Sequence, residues 1–387
     1  MSSSRLRKAI GMVKDRTSIS IANVASSTAP CLEIAILKAT SHEECPPKEK
    51  HVEEILNLTL KSLEYTQACV SLLSKRLGKT RDWIVAVKTL TLIHRLLING
   101  DPLFRDELLS AKLLNLSNFR DVAHVNSWDH SAFVRTFAMY IDQRLETALD
   151  GSFVEKGMKV YQQPRRAKSC RDPGGTTSFK EVKTGRIFVR IGNLQRLMDR
   201  VLACKPTGFA KTNRLVLVAV EPIVKESFEV YGDICDVVSV LRERMLDMEY
   251  KECVKTLNAY GNAARQIDGL IGFYDWCKET GVGRWCEYPL VQRITEDKLD
   301  ALEDFVRYRW KNKNKHACDV NDVNALQFMG NLPRKQIEDN IIVHSGDVTN
   351  GISAGEDPTP DVALGSDLTA GFDPFSASLR VPPPSFI

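Results

Sequence analysis

From Trp83 to Ile98 the chain reads Trp-Ile-Val-Ala-Val-Lys-Thr-Leu-Thr-Leu-Ile-His-Arg-Leu-Leu-Ile, apolar at almost every angle around a helix. A helix of this kind cannot lie with one face in water. It has to be central, covered on several sides by other elements. Lys88, His94 and Arg95 interrupt the run, which argues against a membrane span. Gly100 supplies a C-terminal stop, and Pro102 suits the start of another short helix.

The remaining pattern offers helices to do the covering. Strand signals are scarce, and helical periodicity dominates to about residue 315. Residues 51–77 place Val52, Ile55, Leu56, Leu63, Val70 and Leu73 at helical spacing. Asp129–Leu149 forms the next long run. Others extend from about Phe188 to Cys204, from Asn213 to Tyr231, and from Asp233 to Thr280, the last broken or kinked near Gly261. Thr295–Trp310 carries Leu299, Leu302, Phe305 and Val306 on one side. Short turns between such runs predict an all-α stack of antiparallel helices rather than a catalytic α/β sheet.

Two stretches lack a core-forming face. Pro164-Arg165-Arg166-Ala167-Lys168 and the nearby Pro173-Gly174-Gly175 mark a basic, breaker-rich linker, set at residues 151–187. From residue 331 to 387, Gly, Ser, Thr, Asp and Pro replace the periodic apolar residues, and a disordered tail is expected. The helical material divides accordingly into an N-terminal amphipathic segment (1–27), a first helical part (28–150) and a second (188–330).

A net charge of +4 is too mild to call for nucleic acid, so any basic function must come from local clustering. The basic N-terminal residues lead into no continuous apolar segment, so a secretory signal is not expected. Ser2 stands where myristoylation needs glycine. None of the cysteines forms a Cys-x-x-Cys pair, and Cys69, Cys204, Cys235, Cys253 and Cys277 fall in helical patterns where cysteine acts as a small apolar residue. A zinc site from His42, Cys45 and His51 lacks a fourth ligand at suitable spacing. No Gly-rich phosphate loop, nucleophile elbow or paired-carboxylate motif marks an active site, and neither an enzyme nor a cofactor is expected.

The basic cluster lies between Lys38 and His51, in Lys38-Ala-Thr-Ser-His-Glu-Glu-Cys-Pro-Pro-Lys48-Glu-Lys50-His51. Lys38 falls in the last turn of a helix that opens near Pro30, and Pro46-Pro47 prevents continuation. A second helix begins at Lys48, so the basic residues share space with free N–H groups and the positive end of a helix dipole. Three lysines and a histidine can converge there on one multiply charged phosphate group.

The spacing, lysine, nine residues, then Lys-x-Lys-His, resembles the inositide-binding signature of the ANTH family, the N-terminal homology domain of clathrin-assembly adaptors of the CALM type. Further likeness follows in order: Trp83-Ile84-Val85-Ala86-Val87-Lys88, Ile93-His94-Arg95-Leu96-Leu97, Asn115 to Asp121, Ser131 to Arg135 and Tyr140 to Glu146. Glu287-Tyr288-Pro289 then introduces Ile294 and Leu299, as in the plant members. The resemblance covers about residues 1–325. It implies an ENTH/VHS-like right-handed superhelix extended by a C-terminal helical bundle. It also implies that Lys38, Lys48, Lys50 and His51 bind phosphatidylinositol 4,5-bisphosphate, and that the protein serves clathrin-mediated endocytosis.

Leu6, Ile10 and Val13, spaced i, i+4 and i+7 between basic residues, would form a short amphipathic helix able to enter the lipid interface. In the tail, Asp373-Pro374-Phe375 is similar to the peptide by which endocytic adaptors engage the appendage of the plasma-membrane clathrin adaptor complex. The tail has one such motif and no acidic Leu-x-x-Leu clathrin box, so the avidity of a multivalent tail is not expected. The resemblance further implies clathrin and vesicle SNAREs as partners. It places the protein in the cytosol, peripheral on coated pits and coated vesicles, with the Golgi apparatus as a further location. The competing expectation is a helical-repeat scaffold that captures peptides or RNA without lipid.

Overall fold

The computed structural model describes residues 3–24, 29–111, 116–125, 127–149, 183–284 and 287–315. Most of the expected linker and all of the expected tail, with Asp373, Pro374 and Phe375, lie outside the described residues. Residues 1–306 form one compact unit; of a second unit, 307–387, only 307–315 are described. All regular structure among the described residues is helical.

The helices are α1 (Ser3–Val24), α2 (Pro30–Ala39), α3 (Glu49–Thr59), α4 (Leu63–Lys79), α5 (Trp83–Asn99), α6 (Pro102–Ala111), α7 (Trp128–Leu149), α8 (Thr184–Ala203), α9 (Arg214–Arg244), α10 (Tyr250–Thr280) and α11 (Glu296–Lys315). A short 3₁₀ turn, Gly208–Thr212, precedes α9. α5 is the central helix that its all-round apolar surface requires. It is packed by α2, α3, α4, α6, α7 and α9, and nearly all of it from Trp83 to Leu97 is buried. Asp82 caps its first turn by accepting from the Ile84 N–H at 2.9 Å, and Gly100 closes its last. α8, α9 and α10 pack mutually, and α8 also lies on α7.

Several expected boundaries move. The run from 51 to 77 is two helices, because Leu60–Ser62 breaks it and Ser62 caps α4 by accepting from the Tyr65 N–H. Gly232 and Gly261 break nothing: α9 and α10 run through them, and a glycine inside a helix costs only about 1 kcal/mol. The true break, Met245–Glu249, comes where Glu249 and Glu252 form a reciprocal capping box that starts α10. Gly281, at φ +76°, then ends α10 in the left-handed conformation that glycine adopts without strain. α8 begins at Thr184, inside the expected linker, while α1 runs to Val24, within the expected segment 1–27.

A buried polar cluster ties α5 and α7 to α9. The Glu226 carboxylate of α9 accepts from Arg144 Nε (2.9 Å to each oxygen) and from the Tyr140 hydroxyl, both on α7. His94 Nε2 on α5 lies 3.2 Å from the same carboxylate. Burial works against ionisation of Glu226, but His94 and Arg144 outweigh it and hold the carboxyl far below its ordinary range. His94 is thus a core histidine, packed against Phe137 and Tyr140 with Nε2 beside the Glu226 carboxylate.

Candidate functional site

The Lys38-to-His51 segment folds as the sequence pattern predicts, with two helix ends meeting across a proline-containing loop. Pro30 opens α2, Lys38 stands in its last turn, and Thr40 caps it with its N–H donating to Ile36 O. Lys48 is the N-cap of α3, in an extended conformation and with no side-chain capping hydrogen bond. Lys38, Lys48 and Lys50 are exposed. Lys48 and Lys50 thus stand at the N-terminal, positive end of α3, where helix dipole and side-chain charge both favour an anion.

His51 is different. Its side chain is only 13% exposed, and Nδ1 is buried, 3.6 Å from Glu54 Oε2, which leaves Nε2 as the nitrogen for a ligand. Burial lowers its pKa most; Glu54 opposes this, and the charges of Lys50 and Lys38 lower it further. Lys50 and Lys38 thus both act on this imidazole. Two glutamates are drawn aside: Glu49 is paired with Arg95 of α5, and Glu44 accepts from Asn213 Nδ2 at 2.7 Å.

What holds the loop is Lys88, the lysine inside the otherwise apolar α5. It is 1% exposed. Its ammonium donates to Ser41 O (3.0 Å), Ser41 Oγ (3.2 Å) and Glu43 O (2.6 Å). Burial lowers its pKa, with Cys45 and Glu43 opposing. Three acceptors satisfy the three donors of a buried ammonium, which would otherwise be costly.

The same loop holds α1. Asp15 accepts from the His42 N–H at 2.9 Å, and its other oxygen lies 2.7 Å from His42 Nδ1 and 3.6 Å from Arg76 Nη2. Arg76 also donates to Thr40 Oγ1 (3.1 Å) and Thr40 O (2.7 Å), so it braces the end of α2 as well. Burial raises the Asp15 pKa, but the His42 hydrogen bonds and the charges of His42 and Arg76 prevail and lower it. Gly11 lets α1 come this close, since a Cβ there would stand 2.8 Å from His42 Cβ.

Leu6 (59%), Ile10 (47%) and Val13 (62%) are exposed on α1, and exposed apolar residues continue along the helix to Ile21 at 61%. Among the described residues no helix is long and apolar enough to cross a membrane, and no group of three or more His, Cys, Asp or Glu could hold a metal ion. His42, considered with Cys45 and His51 for zinc, is engaged by Asp15 instead. Sequence reasoning missed Asp15, His42, Arg76 and Lys88 as supports of the site. A lysine in an apolar run was the available signal, because a buried ammonium has to find acceptors.

Residues 31–308 match the family described as the ANTH domain. An Arabidopsis thaliana protein named "Probable clathrin assembly protein" is 49% identical over 354 residues, covering 79% of this chain and 56% of its own. The Arabidopsis thaliana clathrin coat assembly protein AP180 is 39% identical over 325 residues, covering 79% of this chain and 50% of its own. The chain thus spans about half the length of these curated relatives. Among solved structures, the ENTH domain from epsin-2 in complex with phosphatidylinositol 4,5-bisphosphate aligns with a TM-score of 0.49 at 19% identity, over 68% of this chain and 99% of that one. A likeness that modest carries no argument here.

Proposed function

Because the chain belongs to the ANTH-domain family, we propose that it is a phosphoinositide-binding adaptor that docks on anionic membrane and links it to clathrin machinery. The observation that carries this reading is the grouping of Lys38, Lys48, Lys50 and His51 around one α2–α3 junction, on a loop clamped by Lys88. The lysines donate charge-assisted hydrogen bonds to the phosphates of phosphatidylinositol 4,5-bisphosphate, and His51 adds one through Nε2. The exposed stripe of Leu6, Ile10 and Val13 enters the interface beside the headgroup, so electrostatic and apolar contributions act together. A surface grip of this kind suits docking on a flat membrane and later release.

The clathrin half of the proposal rests on the names of the relatives and on Asp373-Pro374-Phe375, which would engage the appendage of the plasma-membrane clathrin adaptor complex through a phenylalanine anchor. Capture of vesicle SNAREs by the helices after residue 182, and a location on coated pits, coated vesicles and the Golgi apparatus, extend the reading on family likeness alone. The role is one of binding rather than turnover.

Liposome co-sedimentation tests the membrane half. Wild type is expected to pellet with vesicles containing phosphatidylinositol 4,5-bisphosphate and to stay largely soluble with phosphatidylcholine alone. The Lys38→Glu/Lys48→Glu/Lys50→Glu variant, with melting unchanged, should lose at least about tenfold in affinity. Equal sedimentation of the two proteins would make the lysines an ordinary solvated surface.

A further inference from the structure

A basic groove of about 850 Å³ lies between α1, α2, α4 and the segment around Val122, with His42 of the α2–α3 loop in its lining. None of Lys38, Lys48, Lys50 or His51 lines it. Lys14 enters from α1, Lys75 and Lys79 from α4, and Arg81 from the α4–α5 connection. All four are exposed, and among the described residues none of them forms a salt bridge. Lys75 and Lys79 are four residues apart on one helix face, a like-charge pair that weakens a helix unless a counter-charge is present.

The acids nearby supply only part of that charge. Asp82 lines the groove but caps α5 through the Ile84 N–H. Asp15 is engaged by His42 and Arg76. Glu33 and Asp82, whose charge the cap does not cancel, stand against four cations. The floor, formed by Ile36, Leu37 and Leu72, is apolar, whereas Val13 and Ile21, exposed on α1, stand at the edge. The groove is therefore a basic rim over an apolar floor, opening beside the face that would meet lipid.

We propose that this groove is a second binding site for a multiply phosphorylated headgroup, walled by α1 and separate from the Lys38–His51 site. It deepens the membrane-binding reading above and rests on it, because two headgroups would then be held by one chain. An anion bridging Lys14 to Lys75, Lys79 and Arg81 fastens α1 to α4 from outside, complementing the Asp15–His42–Arg76 contacts beneath. Membrane attachment should consequently rise more steeply than linearly with the surface density of the headgroup.

The test is calorimetric titration of the full chain with soluble inositol 1,4,5-trisphosphate, paired with sedimentation on vesicles containing phosphatidylinositol 4,5-bisphosphate. Three proteins are compared: wild type, Lys75→Ser/Lys79→Ser, and Lys38→Ser/Lys48→Ser/Lys50→Ser. The substitutions fall on exposed side chains, and matching melting curves establish that each variant is folded. Wild type should take up two headgroups per chain and each variant one, with the groove variant also losing about tenfold on vesicles. Weakened titration of the groove variant with unaltered sedimentation would still support the site, with a soluble phosphate ester rather than lipid as its occupant. Unchanged stoichiometry and affinity in the groove variant would overturn the proposal. So would complete loss in both variants, which would mean one composite site. Normal binding by the Lys38 variant alongside loss in the groove variant would leave this proposal standing and remove the reading of the first site.

Discussion

At the scale of single residues, His51 is the group whose protonation state is set by its surroundings. Burial, then the Lys50 and Lys38 charges, lower its pKa against the pull of Glu54, so the free protein carries it neutral near pH 7. A bound phosphate reverses that field and favours the imidazolium, so binding takes up a proton and strengthens as pH falls. Affinity for soluble inositol trisphosphate should increase several-fold, about threefold to tenfold, between about pH 7.5 and 6. His51→Gln should remove most of that dependence, and calorimetry in buffers of differing ionisation heat measures the proton directly. A variant that kept the wild-type slope would assign the dependence to the phosphates themselves. Lys88 illustrates another residue-scale point. The lysines that would touch the ligand were legible from spacing, whereas the lysine that holds their loop was read only as an interruption of an apolar run.

At the scale of elements, α1 depends on a close approach that only a residue without a side chain permits. Gly11 lies against His42, and any larger residue would meet its Cβ at 2.8 Å. Gly11→Val should therefore lift α1 from the loop while leaving the remaining helices intact. Amide exchange within Lys8–Val24 is expected to speed up by at least about tenfold, and vesicle binding to weaken in parallel. Unchanged exchange would mean that Asp15 and Arg76 hold the helix without help. The elements themselves were mostly readable. The all-round apolar pattern of α5 and the Pro30, Pro46-Pro47 and Gly100 punctuation fix local choices that packing does not override. Breaks at Leu60–Ser62 and Met245–Glu249 were hidden, the first because the apolar spacing resumes almost in phase, the second because its capping box consists of two glutamates. Glycines at 232 and 261 suggested breaks that tertiary burial easily overrides at about 1 kcal/mol each.

At the scale of the whole molecule, the Glu226 cluster joins helices from both sides of the undescribed segment 150–182. Removing one member leaves the others buried without a matching charge, so Glu226→Gln should cost about 3 kcal/mol in denaturant unfolding. The pH profile carries a sign. The folded-state pKa of Glu226 lies below its unfolded value near 4.5, so its contribution is fully present above that value and lost as pH falls toward the folded one. Wild-type melting temperature should accordingly drop on acidification below about pH 4.5, more steeply than that of Glu226→Gln. Parallel profiles would show that other carboxylates govern acid unfolding. No spacing in the sequence could announce this cluster, since His94, Tyr140, Arg144 and Glu226 meet only once three helices have packed.

The packing of α8 on α7 has a consequence for how the chain can be divided. The helices flanking residues 150–182 touch each other directly, and α5 and α9 also meet across that gap in sequence. Covalent continuity there adds proximity but no contact among the described residues. The first 149 residues and those from 183 onward are in this sense two halves of a split protein, each carrying faces complementary to the other. A cut in the intervening segment would leave a non-covalent complex, and separately made halves would be natural fragments for complementation.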